Sequence, residues 1–386
     1  MQYWNSKLQN YYQKKMEFKD ILAGYDWEEV SQSIAQKTLA DVDRALSKRR
    51  LDFDDLLALL APVAQQRLEV MAQLSRSHTQ RRFGKTIQLY IPLYLSNACT
   101  NHCIYCGFNH ENKIKRVILT VEEMEKEVLA IREMGNFQHI LLVTGESPRH
   151  CGTAYLKKAI EIVRKHFANV SIEVQPMDQA DYEELIAAGL NSVYVYQETY
   201  HKERYRIYHP AGKKRDYDYR LDTCERLGRA GIRKMGLGVL VGLENWRTDM
   251  AYMALHLRYL QKKYWRTKYS ISFPRIRPHE GEGFKPNVVM SDKELAQAIF
   301  AFRIYDNDTE IALSTREAPE MRNNMCSLGV TSMSAGSKTE PGGYACYPES
   351  LEQWTMADDR SPAEVVEAIN KQGYEAVWKD WDDVMN

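Results

Sequence analysis

Short runs of apolar and β-branched residues alternate, from residue 86 onward, with longer segments in which apolar residues recur at helical spacing. The short runs predict eight strands, at 88–95, 139–144, 170–175, 192–196, 234–241, 269–274, 311–315 and 330–334. The longer segments predict helices between them, at 121–134, 154–166, 181–188, 219–230, 249–262 and 292–304. Strands that alternate with helices form parallel βαβ units, and eight such units predict an α/β fold, a closed (β/α)8 barrel of the TIM type.

Two flanking segments complete the predicted organisation. Residues 25–80 show helical periodicity, and residues 1–80 are predicted to form an N-terminal helical extension. The barrel is assigned to residues 81–345, and residues 346–386 are predicted to form a C-terminal closing segment. This segment contains Trp354, Trp378 and Trp381. Because tryptophan side chains are costly to leave in water, we expect the segment to pack against the barrel.

Charge and composition narrow the kinds of partner. The 52 basic and 52 acidic residues give a formal net charge of zero, so no overall field attracts nucleic acid or an anionic membrane surface. No stretch approaches the roughly 18 uninterrupted apolar residues of a membrane span, and residues 1–17 contain no apolar signal-peptide core. The composition predicts a cytoplasmic protein that acts on a small molecule, not on a nucleic acid or a membrane.

The carboxyl ends of the predicted strands carry most of the residues suited to chemistry, as expected for a TIM-type barrel. These residues are Tyr94, Thr144, Gly145, Glu146, Glu173, Glu198, Ser314, Arg316, Ser332 and Ser334. No lysine ends any predicted strand, which disfavours a lyase that uses a Schiff-base lysine.

Three of the seven cysteines fall within one short loop, Cys99-Thr-Asn-His-Cys103-Ile-Tyr-Cys106, directly after the first predicted strand. An odd number of cysteines in a long chain argues for reduced thiols or metal ligation, and against a disulfide framework. Soft thiolate ligands select iron-sulfur clusters, zinc or copper(I). A Cys3His zinc site, with His102 or His110 as fourth ligand, is the alternative to a cluster, and would make the chain a zinc-stabilised barrel protein without enzymatic activity.

This loop resembles the signature of the radical SAM superfamily, which has the same cysteine spacing and an aromatic residue, here Tyr105, before the third cysteine. The resemblance implies that Cys99, Cys103 and Cys106 hold one [4Fe-4S] cluster per chain. Three thiolates leave one iron of the cluster open. In this superfamily the open iron binds S-adenosylmethionine (SAM), which the cluster cleaves reductively.

The same resemblance assigns further residues to SAM. Thr144, Gly145 and Glu146 stand where the superfamily has a Gly-Gly-Glu segment that hydrogen-bonds the SAM amino group, with threonine in place of the first glycine. Tyr105 is implied to lie near the adenine. The segment Lys-Lys-Arg-Asp-Tyr-Asp-Tyr-Arg, which begins at 213, is similar to the biotin-synthase-like branch and implies that Arg215 pairs with the SAM carboxylate.

Two further glutamates are assigned by the same comparison. Glu198 is implied to reach the ribose hydroxyls of SAM. Glu173 is implied to face SAM or the substrate, and a structural ion pair is the alternative for this residue.

Several phrases resemble the 2-iminoacetate synthase family, the tyrosine lyases of thiamine biosynthesis. Among them are Tyr-Gln-Glu-Thr-Tyr at 196–200, Leu-Ser-Thr-Arg-Glu at 313–317 and Ser-Ala-Gly-Ser-Lys-Thr-Glu-Pro-Gly-Gly-Tyr at 334–344. The resemblance implies that a 5′-deoxyadenosyl radical takes a hydrogen atom from L-tyrosine and that the Cα–Cβ bond breaks. The products are 2-iminoacetate (dehydroglycine) and p-cresol, with 5′-deoxyadenosine and methionine from SAM. The implied partners are the thiazole synthase, which receives 2-iminoacetate, and a flavodoxin or ferredoxin as electron donor.

The substrate site follows from the same resemblance. Arg316 is the predicted ligand of the tyrosine carboxylate because its planar guanidinium can bind in bidentate fashion, and a rim salt bridge to Glu317 or Glu320 is the alternative. Tyr94 matches an aromatic hydroxyl near the substrate amino group. Arg316 and Tyr94 are therefore the predicted catalytic residues. Further substrate contacts are predicted for Ser314, Ser332 and Ser334.

Two sister enzymes share this lyase core. The tyrosine lyase of hydrogenase maturation carries an added C-terminal domain with three more cysteines, whereas no cysteine follows Cys346 here. The tryptophan lyase of thiopeptide pathways needs a pocket for indole, and the phrases above fit the thiamine enzymes better. Both remain alternatives to the thiamine-pathway reaction.

Overall fold

The computed structural model describes residues 17–278, 284–348 and 352–379. Its strands are β1 (Thr86–Ser96), β2 (His139–Thr144), β3 (Asn169–Glu173), β4 (Ser192–Tyr194), β5 (Lys234–Gly238), β6 (Lys268–Ser272), β7 (Glu310–Leu313), β8 (Ser332–Ser334) and β9 (Glu375–Val377). The helices before β1 are α1 (Phe18–Leu22), α2 (Trp27–Ala35), α3 (Leu39–Ser47), α4 (Phe53–Leu60) and α5 (Leu68–Phe83). The later helices are α6 (Val121–Met134), α7 (Thr153–Val163), α8 (Gln179–Ala188), α9 (Lys202–Tyr208), α10 (Tyr217–Leu221), α11 (Thr223–Ala230), α12 (Trp246–Lys263), α13 (Asp292–Tyr305), α14 (Pro319–Cys326) and α15 (Pro362–Lys371). Two 3-10 helices span Pro62–Arg67 and Lys213–Arg215.

Strands β1 to β8 form a closed parallel barrel. Each strand pairs with the next one in the chain, and β8 pairs with β1 to close the ring. In the register of β1, Gln88 lies beside Ser332 of β8 and Ile91 lies beside Ile140 of β2. The predicted α/β class and the (β/α)8 barrel are confirmed, and each of the eight predicted strands overlaps an observed one.

The upper part of the barrel interior is lined by both polar and apolar side chains. Tyr94 of β1, Val143 of β2 and Glu173 of β3 are neighbours in the strand register and all line the interior. Small residues elsewhere make room for large ones: a Cβ on Gly236 of β5 would lie 1.9 Å from the ring of Tyr194. The cavity in this interior lies at the end of the barrel where chemistry is expected.

The N-terminal extension packs on the outside of the barrel. Helices α2 and α4 begin at Asp26 and Asp52, whose side chains accept hydrogen bonds from backbone N–H groups of the first turn. Helices α2 and α4 contact α12, and α4 and α5 contact α13. Gln297 of α13 also donates to the carbonyl groups of Leu59 and Ala61, at 2.9 and 2.8 Å. The extension thus braces the helices that follow β5 and β6.

The chain after β8 first covers the mouth of the barrel and then returns to its opposite end. At the mouth, the Thr355 N–H donates to the carbonyl of Pro278 at 2.9 Å. Strand β9 pairs in parallel with the first residues of β1, and Trp378 next to it packs edge-on against Phe137. The predicted packing of Trp381 lies outside the described residues. The division of the chain at residues 80 and 345 stays a prediction.

Some elements differ from the sequence pattern. The single helix predicted at 219–230 is two helices, because Asp222 is at once the C-cap of α10 and the N-cap of α11. The pattern also does not predict α9, α14, α15 or β9, which lie between barrel units or after them. Within the described part of the chain, no helix is long and apolar enough to cross a membrane.

Candidate active site

A cavity of about 480 Å³ opens at the carboxyl ends of the barrel strands and continues down the interior. Its volume is in the range of sites that bury a small-molecule ligand. The three clustered cysteines lie in its upper wall, and its lower part reaches Gln88 and Glu310 in β1 and β7. All of the predicted site residues line this cavity except Arg215.

The cysteine loop is fixed by its own polar side chains. Asn97 accepts a hydrogen bond from the Val117 N–H at 2.7 Å and donates to the carbonyl of Lys115 at 2.9 Å, which folds the loop back on itself. Arg116 spans the loop and donates to the carbonyl groups of Asn97, Phe108, Asn109 and Asn112. The sequence analysis did not predict Arg116, because its role depends on backbone carbonyl groups that a sequence pattern does not locate.

The thiols of this loop would need a metal centre to stay ionised at neutral pH. Cys99, Cys103 and Cys106 are free, and burial raises the pKa of Cys99 to about 11 and that of Cys103 above its usual value, so a soft cation is needed to hold thiolates at neutral pH. Across residues 17–278, 284–348 and 352–379, no group of three His, Cys, Asp or Glu side chains is placed to hold a metal ion.

Glu146 lies two residues after β2 and contacts both the cysteine loop and the cations Arg220 and Lys214. Its carboxylate accepts hydrogen bonds from Asn101 Nδ2 at 2.7 Å and from Arg220 at 2.9 Å. Burial acts to raise the pKa of Glu146, but the charges of Arg220 and Lys214 outweigh it and hold the pKa below its usual value. The carboxylate is therefore ionised at neutral pH. Its oxygens retain lone pairs that can accept from a ligand N–H.

The two residues before Glu146 shape the cavity wall. A Cβ on Gly145 would lie 2.3 Å from the carbonyl oxygen of Ala98, so only glycine allows the end of β2 to approach the cysteine loop this closely. The Thr144 hydroxyl is buried and has no hydrogen-bond partner among the described residues. Because buried hydroxyl groups are normally hydrogen-bonded, Thr144 offers a free donor and acceptor to a ligand in the cavity.

Arg215 is not among the cations that reach the cavity. It ends a one-turn 3-10 helix and its side chain is exposed, so its pairing with the SAM carboxylate stays a prediction. The neighbouring Lys214 points inward and donates to Glu198 at 2.7 Å. The buried Arg220 of α10 donates to Glu146 at 2.9 Å and to Glu198 at 3.5 Å. Consecutive residues of a tight turn face different sides, and the sequence comparison did not show which of them faces inward.

The backbone at Glu198 is strained. Glu198 has a φ of +70°, and no other non-glycine residue of the described ranges has a positive φ. Such a conformation costs energy and persists only when surrounding contacts enforce it. Asp249 of α12 supplies them, accepting hydrogen bonds from the Tyr200 N–H at 2.6 Å and the Thr199 hydroxyl at 3.0 Å. The strained turn aims the Glu198 carboxylate at Lys214.

We expect Asp249→Asn to gain stability relative to the wild-type protein as the pH rises from 5 to 8. Burial raises the pKa of Asp249 to about 8, so the folded protein holds this proton more tightly than the unfolded chain and loses stability as the pH rises towards 8. Asparagine does not ionise, and its Oδ1 still accepts both hydrogen bonds. In thermal unfolding, the Tm of Asp249→Asn minus the Tm of the wild-type protein should increase by roughly 2 °C or more between pH 5 and pH 8. The exposed Asp359→Asn is the control, and a pH-independent difference for Asp249→Asn would contradict the argument.

The closing segment adds two side chains that the sequence analysis did not predict. Gln353 accepts a hydrogen bond from the Tyr94 hydroxyl at 2.8 Å, and its Nε2 lies 3.7 Å from the sulfur of Cys106. The buried Trp354 lies against the guanidinium of Arg316, with 4.1 Å between Cζ and the ring centroid. The cysteine loop, β1 and the end of β7 are thus tied together by residues that lie far away in the chain.

Arg316 follows β7 and lacks an anionic partner. No carboxylate of the described residues forms an ion pair with Arg316, which donates only a long hydrogen bond, 3.4 Å, to the carbonyl of Arg275. The alternative pairing with Glu317 is not formed, because the buried Glu317 is held by Arg275 and Arg277. An arginine that is partly desolvated and lacks an anion is suited to bind a ligand carboxylate.

The three predicted serines lie in the cavity wall, and two of them also support the backbone. The Ser314 hydroxyl accepts from the Arg316 N–H at 3.4 Å, and the Ser334 hydroxyl accepts from the Thr315 N–H at 3.2 Å. Ser332 is buried one pleat further down. These contacts hold the segment that carries Arg316 in place.

Tyr105 and Glu173 occupy the remaining predicted positions. The Tyr105 hydroxyl is hydrogen-bonded to His209 Nε2 at 2.8 Å, and Lys214 Nζ lies 5.8 Å from the ring centroid. The ring is therefore fixed between the cysteines and the cations. Glu173 is half-buried, and burial raises its pKa to about 7.

Two family models match consecutive parts of the barrel. Residues 93–254, which include the cysteine loop and Glu146, match the radical SAM superfamily. Residues 272–375, which include Arg316 and Gln353, match the Biotin and Thiamin Synthesis associated domain. Together the two matches cover nearly all of the residues described above.

Individual proteins match over almost the entire chain. The 2-iminoacetate synthases of Escherichia coli (strain K12) and Salmonella typhimurium are each 47% identical over 366 residues, which is 95% of this chain and 97% of each relative. Among solved structures, HydG, a maturase of the [FeFe]-hydrogenase, is 31% identical with a TM-score of 0.84, covering 91% of this chain and 80% of that chain. The likeness therefore includes both flanks of the barrel.

Proposed function

The chain belongs to the 2-iminoacetate synthase family of radical SAM lyases, and we propose that its cavity binds L-tyrosine and cleaves the Cα–Cβ bond to give 2-iminoacetate and p-cresol for the thiazole of thiamine. The observation that carries this conclusion is the similarity to 2-iminoacetate synthases over nearly the full length of both chains. The unpaired Arg316 in the cavity supports it, because a free amino acid presents a carboxylate.

Radical SAM enzymes use a [4Fe-4S] cluster and SAM, and the residues at the mouth of the barrel suit both. We assign one cluster per chain to Cys99, Cys103 and Cys106. With SAM bound, this cluster supplies the 5′-deoxyadenosyl radical that removes a hydrogen atom from the substrate. The arrangement of three unpaired thiols on one fixed loop supports the assignment.

The polar groups beside this loop are complementary to the amino acid end of SAM. The ionised Glu146 and the unpartnered Thr144 hydroxyl suit its amino group. Lys214 and Arg220 are the inward-facing cations of the segment for which Arg215 was predicted, and they suit the SAM carboxylate.

The nucleoside end of SAM is assigned to Glu198 and Tyr105, which lie beside Lys214. Glu198 can accept hydrogen bonds from the ribose hydroxyls, since it keeps lone pairs beyond those used by Lys214. The fixed ring of Tyr105 suits the adenine. Gly145 keeps the wall narrow enough for the loop and β2 to contact the same ligand.

The substrate is assigned to the wall formed by β1, β7 and β8. Arg316 holds the tyrosine carboxylate, and Trp354 behind it excludes water from the pair. Tyr94, oriented by Gln353, lies beside the amino group. Further contacts are assigned to Ser314, Ser332 and Ser334.

The partners follow from the proposed reaction. The thiazole synthase is the proposed recipient of 2-iminoacetate, because an imine of this kind hydrolyses readily in water. A flavodoxin or ferredoxin is the proposed electron donor for the cluster. We place the protein in the cytoplasm and assign it no nucleic-acid or membrane partner, in line with its zero net charge.

An anaerobic incubation tests the reaction directly. Protein reconstituted with iron and sulfide is mixed with SAM, dithionite and L-tyrosine, and we expect p-cresol, 5′-deoxyadenosine and methionine in equal amounts. Omitting SAM should abolish all three products, and L-tryptophan in place of L-tyrosine should give no cleavage product. Formation of 5′-deoxyadenosine without p-cresol would overturn the tyrosine assignment, and tryptophan cleavage would favour the sister enzyme.

A further inference from the structure

Glu173 differs from the other carboxylates of the cavity. Five carboxylates of the described residues line it, and the four with cationic partners are Glu146 and Glu198 with Arg220, Glu310 with Lys234, and Asp308 with Arg82. The fifth carboxylate, that of Glu173 at the end of β3, forms no ion pair or hydrogen bond with any residue in 17–278, 284–348 and 352–379. Because a desolvated carboxylate without a partner is costly, Glu173 is suited to receive a cation from a ligand.

Glu173 and Arg316 form a separated pair of opposite charges. Among the charged groups, Arg316 has the largest influence on the Glu173 carboxylate, yet the two side chains do not form an ion pair. Each also lacks any other ion-pair partner among the described residues. Two unpaired charges of opposite sign with space between them fit a zwitterion, an α-amino acid with its carboxylate on Arg316 and its ammonium group towards Glu173.

The strand register places Glu173 close to the predicted amino group. Tyr94 is paired with Val143, and Val143 with Glu173, so the three residues lie at one level of adjacent strands. Strands are about 4.8 Å apart, which puts the backbones of Tyr94 and Glu173 about 10 Å apart with only the small Val143 between them. An ammonium group held beside the Tyr94 hydroxyl is then within reach of the Glu173 carboxylate.

Resting on the tyrosine-cleaving function above, we propose that Glu173 binds the α-ammonium group of the substrate and takes one proton from it. One N–H bond of the ammonium group breaks and leaves its electron pair on nitrogen, one O–H bond forms from a lone pair of the carboxylate, and no oxidation state changes. The amine that remains is neutral and has a lone pair on nitrogen. This is the form from which removal of a hydrogen atom leaves a nitrogen radical able to break the Cα–Cβ bond.

The surroundings of Glu173 suit a base that works near neutral pH. The charged groups around Glu173 are Arg316 after β7, Glu198 after β4, Lys214 in the 3-10 helix and Arg220 on α10. The nearby phenol groups are those of Tyr90 and Tyr94 in β1, Tyr194 in β4 and Tyr196 just after β4. Burial is the largest influence and raises the pKa of Glu173 to about 7, while Arg316 acts to lower it. A base with a pKa near the working pH is the most effective acceptor.

The test compares wild-type holoenzyme with Glu173→Gln in single turnovers, with p-cresol and SAM binding measured across pH 7 to 8.5. Glutamine keeps the shape but cannot accept the proton, so p-cresol formation at pH 7 should fall by about 100-fold or more. The rate of the variant should then rise about tenfold per pH unit, because solvent supplies the neutral amine, while the wild-type rate changes by less than about threefold. Glu173→Asp should keep a pH profile of wild-type shape at a reduced rate.

Two results would overturn the proposal and separate it from the function itself. Loss of SAM binding in Glu173→Gln would place the carboxylate against the cofactor. A lowered rate with an unchanged pH profile would show a merely structural role, and Glu173→Ala, which also lacks the base, repeats the comparison should the glutamine variant fail to fold. If the wild-type protein forms no p-cresol at any pH, the tyrosine-cleaving function fails, and this proposal fails with it.

Discussion

Replacing Arg316 with lysine is expected to lower kcat/KM for tyrosine cleavage by about 100- to 1000-fold, which corresponds to about 3 to 4 kcal/mol. Lysine keeps the positive charge but loses the planar, bidentate fork and the stacking on Trp354. The substrate carboxylate is then held at a single point, and the amino group drifts from the position at which its hydrogen atom is removed. Small displacements of this kind are costly because the reaction depends on close approach.

The measurement follows p-cresol and 5′-deoxyadenosine together under anaerobic conditions. In Arg316→Lys we expect p-cresol to fall far more than the slow SAM cleavage that occurs without tyrosine. Arg277→Lys is the matched control, because Arg277 lies at the same mouth but is paired with Glu317, and we expect it to change kcat/KM by less than about threefold. Equal loss of both products in Arg316→Lys would place Arg316 in the SAM site instead.

The barrel could be predicted from the sequence because its signal is repeated along the chain. Each β-branched run between two amphipathic segments predicts one strand, and eight repeats fix the parallel closed ring independently of any single boundary. Segments outside the repeat lack that support. Strand β9 is three residues long and is defined by its pairing with β1. Because β1 and β9 lie at opposite ends of the barrel sequence, no local pattern contains this contact.

Within the candidate site, residues at strand ends could be predicted from the sequence, and residues in irregular connections could not. The cysteines, Glu146 and Arg316 could be predicted to line the cavity, because each follows the end of a strand, where local position determines which side the residue faces. The inward direction of Lys214 and Arg220 could not be predicted, because the direction of a side chain in an irregular connection depends on tertiary contacts.

The closing segment shows the other limit of local reasoning. Gln353 and Trp354 enter the site from more than 240 residues after the cysteine loop, and their partners are Tyr94, Cys106 and Arg316. A buried tryptophan was predicted there, but its position against a guanidinium was not. The sequence contains no signal for this contact, because the stacking of an arginine on an aromatic ring is visible only in the folded chain.

The network of charges at the mouth explains why the cations stay available to a ligand. Arg220 and Lys214 share two carboxylates, Glu146 and Glu198, so two positive and two negative charges balance without saturating one another. Burial of such a network is favourable only when every group is hydrogen-bonded. In the proposed function, the amino acid end of SAM would replace some of these contacts with its own.

Replacing Cys103 with serine should remove the iron and, with it, all SAM cleavage. Cys103 is the most buried of the three clustered cysteines, and the serine hydroxyl is a hard, weakly acidic donor that does not substitute for a thiolate on iron. Anaerobically reconstituted wild-type protein should contain about four irons per chain, and Cys103→Ser should contain fewer than about one. Formation of 5′-deoxyadenosine should fall by at least about 1000-fold.

Cys346→Ser is the matched control for this replacement, since the half-buried Cys346 lies outside the cysteine loop and its sulfur lies 3.8 Å from the carbonyl oxygen of Glu123. Its iron content and activity should stay close to those of the wild-type protein. Iron lost to the same extent from both variants would mean that the loop is not the sole cluster site. A wild-type protein that binds zinc in place of iron and stays colourless would rule out the cluster.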